Sequence, residues 1–158
     1  MECSVKVGGI MHCEGLTMIG VLAMPSGPGL AGTILSALGR HDINVQFVVQ
    51  LVDKDGYDHV VFCIGTEDLE RTLDLLADVK EQVLAQKIVH ENEMGLVSIF
   101  GPDFRQRPGI AGLMFSALGQ AGINIKAIST SMSTCSCLID GARVADAVKA
   151  LEDTFELP

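Results

Sequence analysis

Gly27-Pro28-Gly29-Leu30-Ala31-Gly32 and, further along, Arg107-Pro108-Gly109-Ile110-Ala111-Gly112 are two versions of one element. Sliding the chain along itself until residue 28 meets residue 108 also superposes Ser36-Ala37-Leu38-Gly39 on Ser116-Ala117-Leu118-Gly119. The same shift brings Ile43-Asn44-Val45 onto Ile123-Asn124-Ile125. Agreement this dense at one fixed offset marks an internal duplication.

Around the first copy, Leu16 to Met24 is apolar and partly β-branched and stops at Pro25-Ser26-Gly27, as a buried strand entering a loop does. Pro28 suits the first position of a helix, where its missing N–H costs nothing, and Leu30, Ile34, Leu35 and Leu38 then share one face. Asp42 and its counterpart Gly122 suit the left-handed residue that ends such helices. Ile43 to Val52 and Tyr57 to Ile64 flank Asp53-Lys54-Asp55-Gly56, a hairpin signature. Thr66 is placed to cap a second helix with Leu69, Leu73, Leu76 and Val79 along one side, and Gln82 to His90 can close the unit as a last strand. The order is βαββαβ, the ferredoxin-like arrangement, in which an antiparallel sheet carries two helices on one face.

The second copy repeats this order through strand Met94–Phe100, helix Pro108–Ala121, strands Ile123–Thr130 and Ser133–Ile139 and helix Ala142–Phe155, without a final strand. Ser4 to His12 is strand-like and belongs to no unit, so it is expected to complete the second sheet. The expectation is an α+β protein of two units, residues 15–92 inserted into residues 1–14 plus 93–158.

With 158 residues and 48% hydrophobic content, the chain can bury a sizeable core, as one body or as two small domains. Its formal charge of -9, with no clustered Lys/Arg stripe, argues against nucleic acid and acidic membrane surfaces as partners. Met1-Glu2-Cys3-Ser4-Val5-Lys6 lacks the basic start and apolar run of a secretory signal, and no stretch is long enough to span a bilayer, so a cytoplasmic location is expected. Five cysteines, with Cys135 and Cys137 two apart and Cys3, Cys13 and Cys63 scattered, suit reduced thiols better than a disulfide framework.

Residues 27–32 match G-x-G-x-x-G, follow a strand, open a helix and precede Asp53 by about twenty residues, which is the pattern of a dinucleotide fingerprint. Arg107 replaces the first glycine in the second copy, and the helix leads into a hairpin rather than a parallel strand, so no nucleotide cofactor is expected. Two other readings remain open. Unpaired N–H groups at a helix start beside glycines make a ready site for a carboxylate such as that of an amino acid. Alternatively, Gly29 and Gly32 serve only to let helix and sheet pack closely, which is the reading that spacing alone favours.

The string Met24-Pro25-Ser26-Gly27-Pro28-Gly29-Leu30-Ala31, with Asp42-Ile43-Asn44-Val45, Val49-Gln50, Gly122-Ile123-Asn124-Ile125 and Ile128-Ser129-Thr130-Ser131, resembles the tandem ACT domains of aspartate kinase regulatory regions over nearly the whole chain. The resemblance implies an insertion of the first domain into the second and a homodimer formed through side-by-side sheets. It also implies that lysine or threonine binds between the first domain of one chain and the second domain of the other. Ser26, Gly27, Gly29 and Ala31 would then hold one end of the ligand, Gln50 would contribute its amide, and Asn124 and Ile125 would come from the facing domain. Asn44, Ser129, Thr130 and Ser131 would lie just behind them. An aspartate kinase catalytic chain is an implied partner if the protein is a separate subunit.

The chain departs from that pattern at Ser26-Gly27, where the family usually carries Asp-Lys and the Asp helps hold the ligand's amino group. Gln46, Lys126 and Met132 likewise replace acidic residues. A charge-assisted bond is about twice as strong as a neutral one, so these changes bear on which effector is taken. They also keep a second reading in view: a dimerisation module whose ligand site has decayed.

No catalytic set is present: G-x-S-x-G, H-E-x-x-H, a Gly-Lys-Ser/Thr phosphate loop and paired carboxylates in matched loops are all missing, and a non-enzyme is expected. Cys135-Ser136-Cys137 puts two thiols on one strand face without the further ligands that a tetrahedral metal needs, so buried thiols and no metal are expected. His12, His41, His59 and His90 form no constellation, and the acids from Glu67 to Glu81 read as a solvated helix face.

Overall fold

Alternation of buried and exposed side chains along the strands organises the molecule. The structure, a computed structural model, describes residues 5–102 and 104–158. The chain divides into two units, Gly15–Asn92 and Met1–Glu14 with Glu93–Pro158. Two long strands, β2 (Gly9–Pro25) and β5 (Lys87–Phe100), contribute residues to both. Each carries a left-handed residue at the changeover, Gly15 (φ 70°) in β2 and Glu93 (φ 58°) in β5.

In unit 15–92 the strand order is β3 (Phe47–Val52), β4 (Tyr57–Gly65), β2, β5, and β4 runs antiparallel to both its neighbours. Helices α1 (Leu30–Arg40) and α2 (Leu69–Val83) send Ile34, Leu38, Leu76 and Val79 into one core with Ile19, Val21, Val60, Phe62 and Ile64. Register pairs Ile19 with Phe62 and Val21 with Val60, so these strand residues share the helix-facing side. Each fully buried side chain of this kind contributes about 1.5–3 kcal/mol.

The other unit repeats the plan with order β2, β5, β7 (Thr134–Asp140), β6 (Ala127–Thr130) and helices α3 (Ile110–Gln120) and α4 (Val144–Thr154). Its core joins Val97, Ile99, Cys135, Cys137 and Ile139 to Met114, Leu118, Ala147 and Leu151. Each unit is thus a ferredoxin-like antiparallel sheet with two helices packed on one face, the α+β class expected from the repeat.

Several local expectations need correction. Pro28 lies before α1, because Gly29 is the N-cap in a left-handed conformation (φ 88°) that no proline-led helix start supplies; Gly109 (φ 92°) does the same before α3. Thr66 heads a 3₁₀ turn, Thr66–Asp68, and its hydroxyl bonds Thr17 Oγ1 at 3.0 Å rather than capping α2. Helix α2 continues to Val83 and ends on left-handed Leu84 (φ 56°), so the following strand begins at Lys87 and not Gln82. Residues 43–46 and 123–126 are irregular, and β3 and β6 start later than apolarity suggested. The N-terminal strand is interrupted: β1 (Val5–Lys6) pairs in parallel with β8 (Phe155–Glu156), and β2 starts at Gly9. Ser4, where that strand was expected to begin, and Cys3 lie outside the described residues. Asp42 (φ 55°) and Gly122 (φ 71°) adopt the left-handed conformation read from the sequence.

Two arginines tie these helix ends down. Arg71 donates to the carbonyl of His41 after α1, and Arg143 donates to those of Ala121 and Gly122 after α3. The β3–β4 hairpin is fixed by Asp53, whose Oδ1 accepts from the amides of Asp55 (2.8 Å) and Tyr57 (3.1 Å). Its Oδ2 lies 2.8 Å from His59 Nε2, while His59 Nδ1 accepts from the amide of Ala23 at the β2 bulge. An accepting Nδ1 leaves the proton on Nε2, which therefore donates to Asp53.

The His59 hydrogen bond, followed by that from the Tyr57 amide, holds the Asp53 carboxyl below its ordinary value of 3.8. A carboxyl depressed on folding contributes stability that is present above the unfolded value and lost as pH falls through the folded one. The Asp53 carboxyl resonance should therefore titrate with a midpoint below 3.8 and move upward in His59→Ala. An unmoved midpoint would contradict the pairing.

Candidate functional site

The loop between β2 and α1 is built by backbone rather than side chains. The Ser26 amide donates to the Gly56 carbonyl at 3.1 Å, tying the loop to the tip of the β3–β4 hairpin. The Gly29 carbonyl accepts from the Thr33 amide (2.9 Å) and from Thr33 Oγ1 (3.0 Å). The amides of Leu30, Ala31 and Gly32 precede that first intrahelical bond, so no carbonyl within the helix receives them. They sit at the positive end of the helix dipole, where a carboxylate is favoured.

The glycines here do not serve packing. A Cβ built on Gly27, Gly29 or Gly32 meets nothing within 4 Å among the described residues, and the same holds at Gly109 and Gly112. The close-packing reading of Gly29 and Gly32 is thereby overturned. Gly29 is required for its positive φ, while Gly27 and Gly32 leave open space over the helix start.

Gln50, exposed on β3, donates from Nε2 to Asp58 Oδ2 at 3.2 Å. Asp58 is a residue that the sequence reading passed over. It is only 2% exposed, and it stands opposite Met24 of β2 and Val52 of β3, at the end of the sheet where the loop begins. Alternation along β4 gives it the same face as Val60, Phe62 and Ile64, the face that α1 covers. Its Oδ1 has no hydrogen-bond partner among the described residues. The available signal was the alternation itself, which sets an acid in phase with three core residues.

In the other unit, the matching positions line a hollow of about 220 Å³. Gly109 and Ala111 correspond to Gly29 and Ala31, and Thr130, paired with Cys135, corresponds to Gln50, paired with Val60. Arg107 and Ser131 also line it. Ser131 additionally shapes the β6–β7 turn, its Oγ accepting from the Thr134 amide at 3.1 Å.

Ser26, Gly27, Gly29 and Ala31 thus form one continuous loop and helix start, with Gln50 nearby on the sheet. Asn44 and Asn124 are exposed in the irregular stretches before β3 and β6. Ile125 is half-buried against the core of its own unit, and Ser129 stands opposite Ser136 in β7. Cys63, Cys135 and Cys137 are buried, and burial pushes the thiols of Cys63 and Cys137 up to about 12. They are core groups, poorly suited to nucleophilic or redox work. Among the described residues no group of three potential metal ligands comes together, and no helix is long and apolar enough to cross a membrane.

Two sequence-family models, each described as an ACT domain, match residues 17–81 and 97–155. One chain in the solved structure of aspartokinase alpha and beta subunits shares 30% identity and superposes with a TM-score of 0.84, over 94% of this chain and 97% of that one. The chain belongs to the ACT-domain family, among the aspartokinase regulatory regions. The tandem ACT chain also matches the ligand-free regulatory subunit of aspartate kinase from Thermus thermophilus at 25% identity and TM-score 0.85, covering 95% of this chain and 99% of that one. Aspartokinase 2 of Bacillus subtilis (strain 168) is 33% identical over 159 residues, which is 99% of this chain and 38% of that protein. The chain therefore spans well under half the length of the curated aspartokinases it matches.

Gly29 and Gly32 separate backbone need from empty space. Gly29→Ala forces an L residue into the left-handed region and should destabilise the fold by about 1–2 kcal/mol. Gly32→Ala, inside the helix, should stabilise it by up to about 1 kcal/mol. Denaturant unfolding of both variants checks this, and equal midpoints would contradict the assigned helix start.

Proposed function

We propose that this ACT chain is a non-catalytic regulatory protein that senses a small amino acid, and that the sensing site is the β2–α1 loop. The observation that carries the reading is the open helix start at Gly29, with amides available to a carboxylate and glycines that crowd nothing. The similarity to the Thermus thermophilus regulatory subunit supports regulation over catalysis. Lysine and threonine are the first candidates by family, and Ser26-Gly27 makes another effector equally admissible.

In this reading Ser26, Gly27, Gly29, Ala31 and Gln50 hold the effector, and Asn124 and Ile125 reach it from a second copy of the chain in a homodimer. Asn44, Ser129, Thr130 and Ser131 support the contact residues. An aspartate kinase catalytic chain is the proposed protein partner, and the compartment is the cytoplasm.

A thermal-shift screen against the twenty amino acids tests the proposal. A ligand at one hundred times its dissociation constant should add about 2.7 kcal/mol of stability, which shows as a shift of several degrees. Asn124→Ala should remove that shift. Absence of a shift with all twenty would sink the sensor reading and leave the dimerisation module, which the neutral Ser26 and Gln46 favour.

A further inference from the structure

We propose that Asp58, held through one oxygen by Gln50, is the group that accepts the effector's ammonium, so that the first unit is built for a zwitterion with its carboxylate on the α1 amides. The inference rests on the sensing role given to the β2–α1 loop and names the chemistry recognised there.

A carboxylate removed from water is costly unless its oxygens are occupied. Gln50 Nε2 occupies only Oδ2 of Asp58, at 3.2 Å, and Oδ1 has no partner among the described residues although the side chain is 2% exposed. Asp58 lies on the helix-facing side at the end of β4 nearest the loop, since Pro25 pairs with Tyr57 and Met24 with Asp58. A cation-seeking oxygen therefore stands at the same end of the unit as the anion-seeking amides of Leu30, Ala31 and Gly32. An α-amino acid carries these two charges one carbon apart.

The arrangement also accounts for Ser26-Gly27. A loop without an acid can still serve an ammonium if the acid comes from the sheet beneath it. Gln50, exposed and bonded to Asp58, is placed to share the carboxylate with an arriving ammonium. Among the described residues the second unit has no such pair. Register sets Thr130 where the first has Gln50, the shorter β6–β7 turn puts exposed Ser133 two residues before Cys135 as Asp58 stands two before Val60, and Arg107 stands where the first has Gly27. Among the described residues the second unit sets a cation, Arg107, beside its helix start, and only the first unit offers a buried carboxylate.

The test compares the full chain with its Asp58→Asn variant by calorimetric titration with each of the twenty amino acids, alongside ligand-free melting. Asparagine keeps the shape and removes the charge. For an amino acid that binds the parent chain, affinity should fall roughly tenfold to a hundredfold. The ligand-free variant should melt at the same temperature or higher, because an incompletely satisfied buried charge is gone. Unchanged affinity overturns the inference and leaves the sensing role standing. A lower ligand-free melting temperature shows Asp58 to be a structural group and overturns the inference too. If no amino acid binds the parent chain, the sensing role itself fails and the inference falls with it.

Discussion

Each unit depends on burying one face of its sheet beneath two helices. That constraint fixes which side of every strand is apolar, and it brings the loop before α1 over the end of β4. It also sets the scale on which a polar intrusion is judged. Val60 and Phe62, the neighbours of Asp58 on the buried face, are fully buried and contribute about 1.5–3 kcal/mol each. An unsatisfied buried polar group costs about 1–3 kcal/mol. The core can therefore carry an incompletely satisfied carboxylate without losing the fold, as the binding role proposed for Asp58 requires.

Much of the architecture was legible in the sequence because the duplication states each element twice. The Asp53-to-Gly56 turn, the left-handed residues at 42 and 122 and the apolar periodicity of α1 and α3 each had a local physical cause. The misplaced boundaries came from residues whose conformation depends on their neighbours. Pro28 reads as a helix start only until Gly29 adopts a positive φ, and residues 43–46, with Ile43 and Val45, look like the start of a strand although they fill the connection after the helix. The single strands β2 and β5 were read as separate segments because Gly15 and Glu93 interrupt their patterns.

Of the candidate site, the loop and helix start were legible in the sequence and the buried acid beside them was not. Pattern and family resemblance selected Ser26, Gly27, Gly29, Ala31 and Gln50, and the backbone at Gly29 supports a carboxylate there. Asp58 was overlooked because it follows Tyr57 at the edge of a polar hairpin, where an acid is ordinary. Only pairing opposite Met24, together with burial, sets it apart. In the site proposed above, loop and strand would act together, the helix amides toward a carboxylate and Asp58 toward an ammonium. The second unit keeps the left-handed glycine before its helix and sets Arg107 beside that helix start.

The most direct measurement is a two-dimensional ¹H–¹⁵N amide spectrum of the full chain, recorded while each of the twenty amino acids is titrated in. An effector should perturb the amides of Leu30, Ala31 and Gly32 and the side-chain amide of Gln50, in a saturable manner. Saturable perturbations confined to other residues, or none with any amino acid, would contradict the proposed site.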